Sequence, residues 1–353
     1  MKTVFDITEF GAVGDGMTDC TEAIQKALDK ASVCRGKVVV PPGVYMTGKL
    51  KMHGKNVSME GASGWYFRDD GASVFKLNDE NADCLLDITG AFGVTIKGMS
   101  LNGCDLGENV HGIKIYWEEY NGGGIEDTPT IDDCRVGHFS GDGLHFEHVW
   151  CFSVRHSMLC FNGGAGLYID GWDAFILDNW FSANRNGGIL GGPYVAAITC
   201  TGNRVEWNRR GGFVLPSGES YNITGNFFDR SFGPALLLGA KETVNDQITV
   251  TGNVFRRNGA TRDNETFENP YHSSHIIMEN CTGTTVVGNS MRAGRNDDKK
   301  GSLSPDYSIV VTDCAECVVK DNTMHKGYVK DAVITENNAE TCIIYDNVGS
   351  LDR

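Results

Sequence analysis

The sequence predicts an all-β chain, a right-handed parallel β-helix with an N-terminal capping α-helix. A coil-length repeat anchored on asparagine and one amphipathic helix ahead of it carry that expectation. The repeat is clearest in FILDNWFSANRNGGIL, ITCTGNRVEWNRRGGFVL, YNITGNFFDRSFGPALLL and ITVTGNVFRRNG, whose anchors are Asn179, Asn203, Asn226 and Asn253, spaced by 24, 23 and 27 residues. The phase continues forward through Asn289, Asn322 and Asn347 and backward through Ser157, Cys134 and Met99, giving about ten coils. Asparagine suits a tight bend because it tolerates left-handed backbone, and its amide can bond to the same amide one coil away. A second asparagine column follows at Asn162, Asn184, Asn208 and Asn258, and a small-residue column at Gly143, Gly166, Gly188, Gly212 and Ala235. Propeller blades would need a longer period, and leucine-rich repeats a fixed leucine spacing.

Ahead of the repeat, Thr18 to Ala31 reads as a helix with Ile24, Ala27, Leu28 and Ala31 on one side and Thr18 or Asp19 as its N-cap. Such a helix would cover the open end of a solenoid, where core and unpaired strand edges are otherwise exposed. The organisation expected is one β-helix domain over 1–353, with a cap over 1–50, its helix at 18–31, and stacked coils over 84–349. Two insertions, NGATRDNETFENPYHSS and RAGRNDDKKGSLSPDY, lengthen one corner in successive coils and would wall a cleft or dock a neighbour.

Composition narrows the function. Hydrophobic residues make up 41% of 353, enough for a continuous core, and 45 glycines against 8 prolines fit many tight turns. The net charge of −15 excludes nucleic acid as a partner, since a phosphate-binding surface needs clustered Lys and Arg. No apolar run is long enough to span a bilayer. The start lacks the apolar core of a leader peptide, and the twelve cysteines are scattered through strand-like segments. The expectation is therefore a cytoplasmic protein with free thiols, a secreted protein stripped of its leader being the alternative. The sequons at Asn222 and Asn264 then have no role. No cofactor and no metal are expected, because His111, His138, His148 and His156 share no column and Asp15 to Asp19 reads as a fold marker.

The opening FDITEFGAVGDGMTDCTEAIQKALDKA, followed by GKVVVPPGVYMTGKL, resembles the start of the pectate-lyase-like superfamily. That group includes polygalacturonase-related hydrolases, mannuronan C5-epimerases and phage tailspike domains. The resemblance implies the fold strongly and a carbohydrate substrate, oligosaccharide or polysaccharide, more weakly. It also makes a homotrimer an expectation.

Alternation along the strands identifies outward columns. One runs Lys114, His145, Tyr168, Leu190, Val214, Leu237, and the other Tyr116, Glu147, Asp170, Gly192, Pro216, Gly239. Polar chemistry thus concentrates on three successive coils. Column neighbours lie about 4.8 Å apart at the backbone, so Glu147 and Asp170 are expected side by side, one of them with a raised pKa. The leading assignment is a glycoside hydrolase or transglycosylase with Asp170 as nucleophile or base and Glu147 as acid, the roles being interchangeable. His145 and Tyr168 complete the catalytic set, while Lys114, Tyr116, Trp117, Trp172 and Asp173 would bind sugar.

The alternative is a polysaccharide lyase or uronate C5-epimerase in which Lys114, His145 and Tyr168 remove a proton beside a carboxylate. The segment Leu144-His145-Phe146-Glu147-His148 occupies the place of the Asp-Pro-His-Glu sequence of mannuronan C5-epimerases without matching it. Polygalacturonase signatures and a calcium-binding acidic cluster are absent too. A second candidate site is Glu206, Asp229 and Arg256 on another sheet, competing with a structural salt-bridge ladder. A non-catalytic, tailspike-like glycan-binding β-helix is the remaining class.

Overall fold

The computed structural model describes residues 2–62, 64–118, 125–260, 266–295, 297–298 and 302–352. The sequon at Asn264 and the NGGG run at 121–124 lie outside them, as does part of each insertion. The chain forms two compact units, Met1–Phe175 and Ile176–Arg353.

In the first unit, Asp15–Asp19 is a strand and helix α1 spans Thr21–Cys34, three residues later at each end than the sequence suggests. The cap position is Cys20, whose side chain makes no capping bond, while Asp19 accepts from the Thr21 amide at 3.0 Å. The shift arises because the Asp15 carboxylate folds 15–18 into a turn by accepting the Met17 and Thr18 amides. Ile24, Ala27, Leu28 and Ala31 are fully buried, as the periodicity requires, and α1 packs on the strands at 4–6, 37–40 and 50–51. Stacking starts well before residue 84. Val4–Asp6 pairs with Lys37–Val40, which pairs in turn with Ser58–Gly61, Thr95–Lys97 and Thr130–Asp132, every step parallel. Two further columns rise beside this one, through Gly43–Thr47, Ser73–Leu77 and Ser100–Asn102, and through Cys84–Asp87 and β1, His111–Tyr116. Three short parallel strands per coil define a parallel β-helix.

In the second unit the asparagine ladder is continuous. The Nδ2 of Asn179, Asn203, Asn226, Asn253, Asn289 and Asn322 each donates to Oδ1 of the next, ending on Asn347, at 2.9 to 3.1 Å. Each backbone N–H in the series donates to the same oxygen. The small-residue column has a steric cause: a Cβ on Gly212 would sit 2.3 Å from the Ala235 carbonyl oxygen. The core between these bends is apolar, with Phe228 stacked on Phe255 at 4.8 Å and edge-on to Phe213 at 5.0 Å. All twelve cysteines are free thiols and eight are buried, so bridges play no part in stability. Among the described residues no helix is long and apolar enough to cross a membrane.

One buried group should make stability pH-dependent. His275 is fully buried near Phe255, and burial, offset only in part by a backbone contact at Gly327, pushes its pKa down to about 3. An unfolded histidine titrates near 6.5. Between those values the unfolded chain binds the extra proton, so His275 costs nothing above the unfolded value and draws stability down as pH falls below it. Wild-type unfolding free energy should drop by about 1 kcal/mol per pH unit more steeply between pH 6 and 4 than that of His275→Phe. Parallel slopes in urea titrations would refute this.

Candidate functional site

Strands β1, β2 (Leu144–Arg155) and β3 (Ala165–Leu177) carry the site. Alternation buries Ile113, Ile115, Leu144, Phe146, Leu167 and Ile169 and turns Lys114, Tyr116, His145, Glu147 and Tyr168 outward. The register sets Lys114 opposite His145 and Tyr116 opposite Glu147, in the predicted columns.

The centre of this face is the His145 imidazole. Its Nδ1 lies 2.8 Å from Asp142 Oδ2 and its Nε2 lies 3.3 Å from Glu147 Oε2. The ring stacks on Tyr168 at 4.7 Å and 9°, and on its other side lies His111 at 4.2 Å. Burial of Asp142 opposes its ionisation, but hydrogen bonds from His111, His145 and the Ala165 amide outweigh it and hold the carboxyl at about 2. An ionised Asp142 can only accept, so it fixes the His145 proton on Nδ1 and leaves Nε2 free to take or share one. Burial, followed by the charges of Glu147, Asp170 and Asp142, pushes the Tyr168 hydroxyl up to about 12. Tyr168 therefore keeps its proton at neutral pH and acts as a donor. A base and an acid stand ring against ring.

Each of the two carboxylates predicted to face each other has an imidazole beside it. Glu147 is partly exposed and meets His145, whereas Asp170 is only 3% exposed and lies 3.5 Å from His148 Nε2. His148 Nδ1 is 2.7 Å from the Trp117 carbonyl oxygen, which can only accept, so that nitrogen carries hydrogen and Nε2 faces Asp170.

The predicted sugar-binding residues are spread along the same strands. Lys114 is 3.1 Å from Asp83, which also binds Lys49, and its ammonium lies over the exposed Tyr116 ring at 5.1 Å. Trp117 donates to the buried Asp127 at 3.1 Å and stacks on Phe92, which leaves it half-buried. Trp172 lies 5.7 Å from Trp150, whose Nε1 donates to the exposed Asp173 at 2.9 Å.

The sequence reading missed Asp142, His111, His148, Asp127 and Trp150. His148 should point inward by strict alternation, but its φ of 58° turns it out and breaks the count. Asp142 precedes β2 in a turn, where alternation does not apply; its signal is the three-residue spacing to His145. His111 was set aside because it shares no column with His138, His148 or His156, and the coil stacking brings it against His145 instead.

His111, Asp142 and His145 are the described residues whose donor atoms gather closely enough to hold a cation, within 4.8 Å of one another. Their atoms already serve each other, for His111 Nδ1 and His145 Nδ1 lie 3.3 and 2.8 Å from the same Asp142 oxygen. They fit an Asp–His network better than a metal.

The second candidate set holds its predicted register, Glu206 beside Asp229 and Asp229 beside Arg256. Arg256, however, points to solvent, and Arg257 is the residue that grips Asp229, at 2.6 and 2.9 Å. Glu206 is held by Trp180 and Arg204, each at 3.0 Å.

Residues 84–255 and 142–351 match the family described as "Right handed beta helix region", which covers well over half of the chain. The chain belongs to the right-handed β-helix family. Ahead of that region, residues 4–82 match "Rhamnogalacturonase A/epimerase, pectate lyase-like". Mannuronan C5-epimerase AlgE1 of Azotobacter vinelandii is 28% identical over 194 residues, 51% of this chain. The chain spans 13% of that relative's length, and 20% of AlgE6, to which it is 29% identical. The A-module of the AlgE4 epimerase from the same organism superposes with a TM-score of 0.65 at 18% identity, covering 98% of this chain and 99% of the module. The enzymatically active domain of tailspike protein 2 from bacteriophage CBA120 superposes at 0.67 and 11% identity, covering 96% of this chain and 52% of that one. At these identities the superpositions speak for the fold.

Proposed function

We propose that this β-helix protein is a carbohydrate-active enzyme that moves a proton at a sugar ring carbon beside a carboxylate, as a uronate C5-epimerase or a β-eliminating lyase. The observation that carries the reading is the His145–Tyr168 stack, with Asp142 fixing the imidazole and Lys114 next in the column. His145 Nε2 would remove the C5 proton, and Lys114 would stabilise the charge that develops on the uronate carboxylate. Tyr168 would then return a proton to the opposite face, giving the epimer, or to the departing glycosidic oxygen, giving an unsaturated sugar. The sequence relation to mannuronan C5-epimerases supports the same class.

Glycoside hydrolysis, the leading expectation from sequence, is kept as a second reading by one observation: Glu147 is an accessible carboxyl within reach of His145. The burial of Asp170 weighs against it, since a nucleophile must touch the anomeric carbon.

Incubation with uronate oligosaccharides in deuterium oxide separates the two. Deuterium at C5, with or without unsaturated ultraviolet-absorbing ends, is the expected result. New reducing ends without either signal, abolished in Glu147→Gln, would replace this reading by hydrolysis. Full activity in Glu147→Gln would remove the hydrolytic reading.

A further inference from the structure

The second unit carries a pair of arginines whose charges are only half matched by its interior. Asp229, 1% exposed, takes Arg257 Nε and Nη2 at 2.9 and 2.6 Å and Arg230 Nη1 at 2.7 Å. One carboxylate thus answers two guanidinium groups. Glu206 stands 4.0 Å from Arg230 and is engaged closely by Arg204. Of the remaining nitrogens, Arg230 Nη2 and Arg257 Nη1 converge on one oxygen of Asp297 at 2.7 and 3.0 Å, Arg257 Nη1 also reaches the Arg295 carbonyl at 3.5 Å, and Arg230 Nε has no partner among the described residues. The arginine side chains are 13% and 7% exposed, whereas Asp297 is 61% exposed. Partly buried guanidinium charge is costly without an anion, so this clasp needs a carboxylate, and the chain supplies one from the solvent side. Both nitrogens aim at a single point, which a ligand oxygen can occupy equally well. Beside it the half-buried Trp207 ring lies under the Arg230 guanidinium, 4.8 Å from the ring centroid, and walls the clasp with an aromatic side chain.

We infer that the Arg230–Arg257 clasp is an accessory binding site for a sugar carboxylate, with Asp297 as its built-in competitor. The ligand class is a uronate residue, its carboxylate displacing Asp297 and its ring lying toward Trp207. Charge is conserved in the exchange, since one carboxylate replaces another. This inference concerns binding on a different strand column and does not rest on the catalytic reading.

The test is calorimetric titration of the full chain with galacturonate, galactose and inorganic phosphate. Asp297→Ala should bind galacturonate at least tenfold more tightly than wild type, galactose not at all, and phosphate more weakly than galacturonate. Adding Arg230→Gln should remove the binding while Arg257 still holds Asp229. If Asp297→Ala does not fold, Asp297→Asn gives the same comparison, with a gain of a few fold. Equal affinity in wild type and variant would show Asp297 to be a structural contact and overturn the site. Phosphate binding as tight as galacturonate would overturn the sugar assignment.

Discussion

Replacing His145 by glutamine should lower kcat by about 10²–10⁴-fold while leaving the fold intact, the range expected for loss of one general acid–base group. The argument rests on three contacts. Asp142 fixes the proton on Nδ1, Tyr168 holds the ring plane from one side, and Glu147 sits at the nitrogen that would exchange protons. Glutamine preserves polarity at a half-buried outward position and packs against the same neighbours, so stability should change little. Asp142→Asn should cause a smaller loss with KM nearly unchanged, because the amide keeps a polar partner beside Nδ1 but, able to donate as well as accept, no longer dictates which ring nitrogen carries the hydrogen. Tyr168→Phe tests the other half of the pair: an epimerase lacking its donor should still exchange the C5 proton and return it to the face it left. Unaltered inversion by Tyr168→Phe would remove Tyr168 from the chemistry. Unaltered kcat in His145→Gln would end the reading.

Most of the fold was legible because its physics repeats. A polar ladder residue must recur once per coil, and Asn179 through Asn347 does so with enough identity to count. The column logic then carried the outward face, placing Lys114 beside His145 and Tyr116 beside Glu147 as observed. It failed where the backbone leaves the strand. Asp142 orients the histidine from a turn, and His148 reaches Asp170 only because its left-handed conformation reverses the pleat. The expected Glu147–Asp170 pair left out His148 for the same reason, since alternation would bury this mid-strand residue and its left-handed backbone turns it out. Burial of Asp170 was likewise illegible, as it depends on what packs around the strand. The N-terminal helix shows the smaller version of this error: its apolar face was correct, while its start moved because Asp15 and Asp19 hydrogen-bond locally instead of entering the helix.

Asn226→Ala should destabilise the second unit by about 3–5 kcal/mol, far beyond an ordinary polar-to-alanine change, and Asn347→Ala by much less. Asn226 is 1% exposed and serves both neighbours at once. Its Oδ1 accepts the backbone N–H and the Nδ2 of Asn203, while its own Nδ2 donates to the Cys200 carbonyl and to Asn253 Oδ1. Alanine therefore leaves the backbone N–H and Nδ2 of Asn203 without their acceptor and takes a donor from the Cys200 carbonyl, in a place water does not reach, and each such group costs about 1–3 kcal/mol, whereas Asn253 Oδ1 keeps the backbone N–H of residue 226. Asn347 takes the same bonds from Asn322 but is half-exposed, so solvent can substitute for it. Aspartate at 226 is the sharper control. It keeps the acceptor for Asn203 but sets a carboxylate against the Cys200 carbonyl and Asn253 Oδ1, so it should be no better than alanine. Urea unfolding of the three variants reads the order directly, because coils in a solenoid couple mainly to their neighbours. Equal losses at 226 and 347 would mean that the ladder is a by-product of tight bends, and the stability of the coils would then lie in the Phe213–Phe228–Phe255 core.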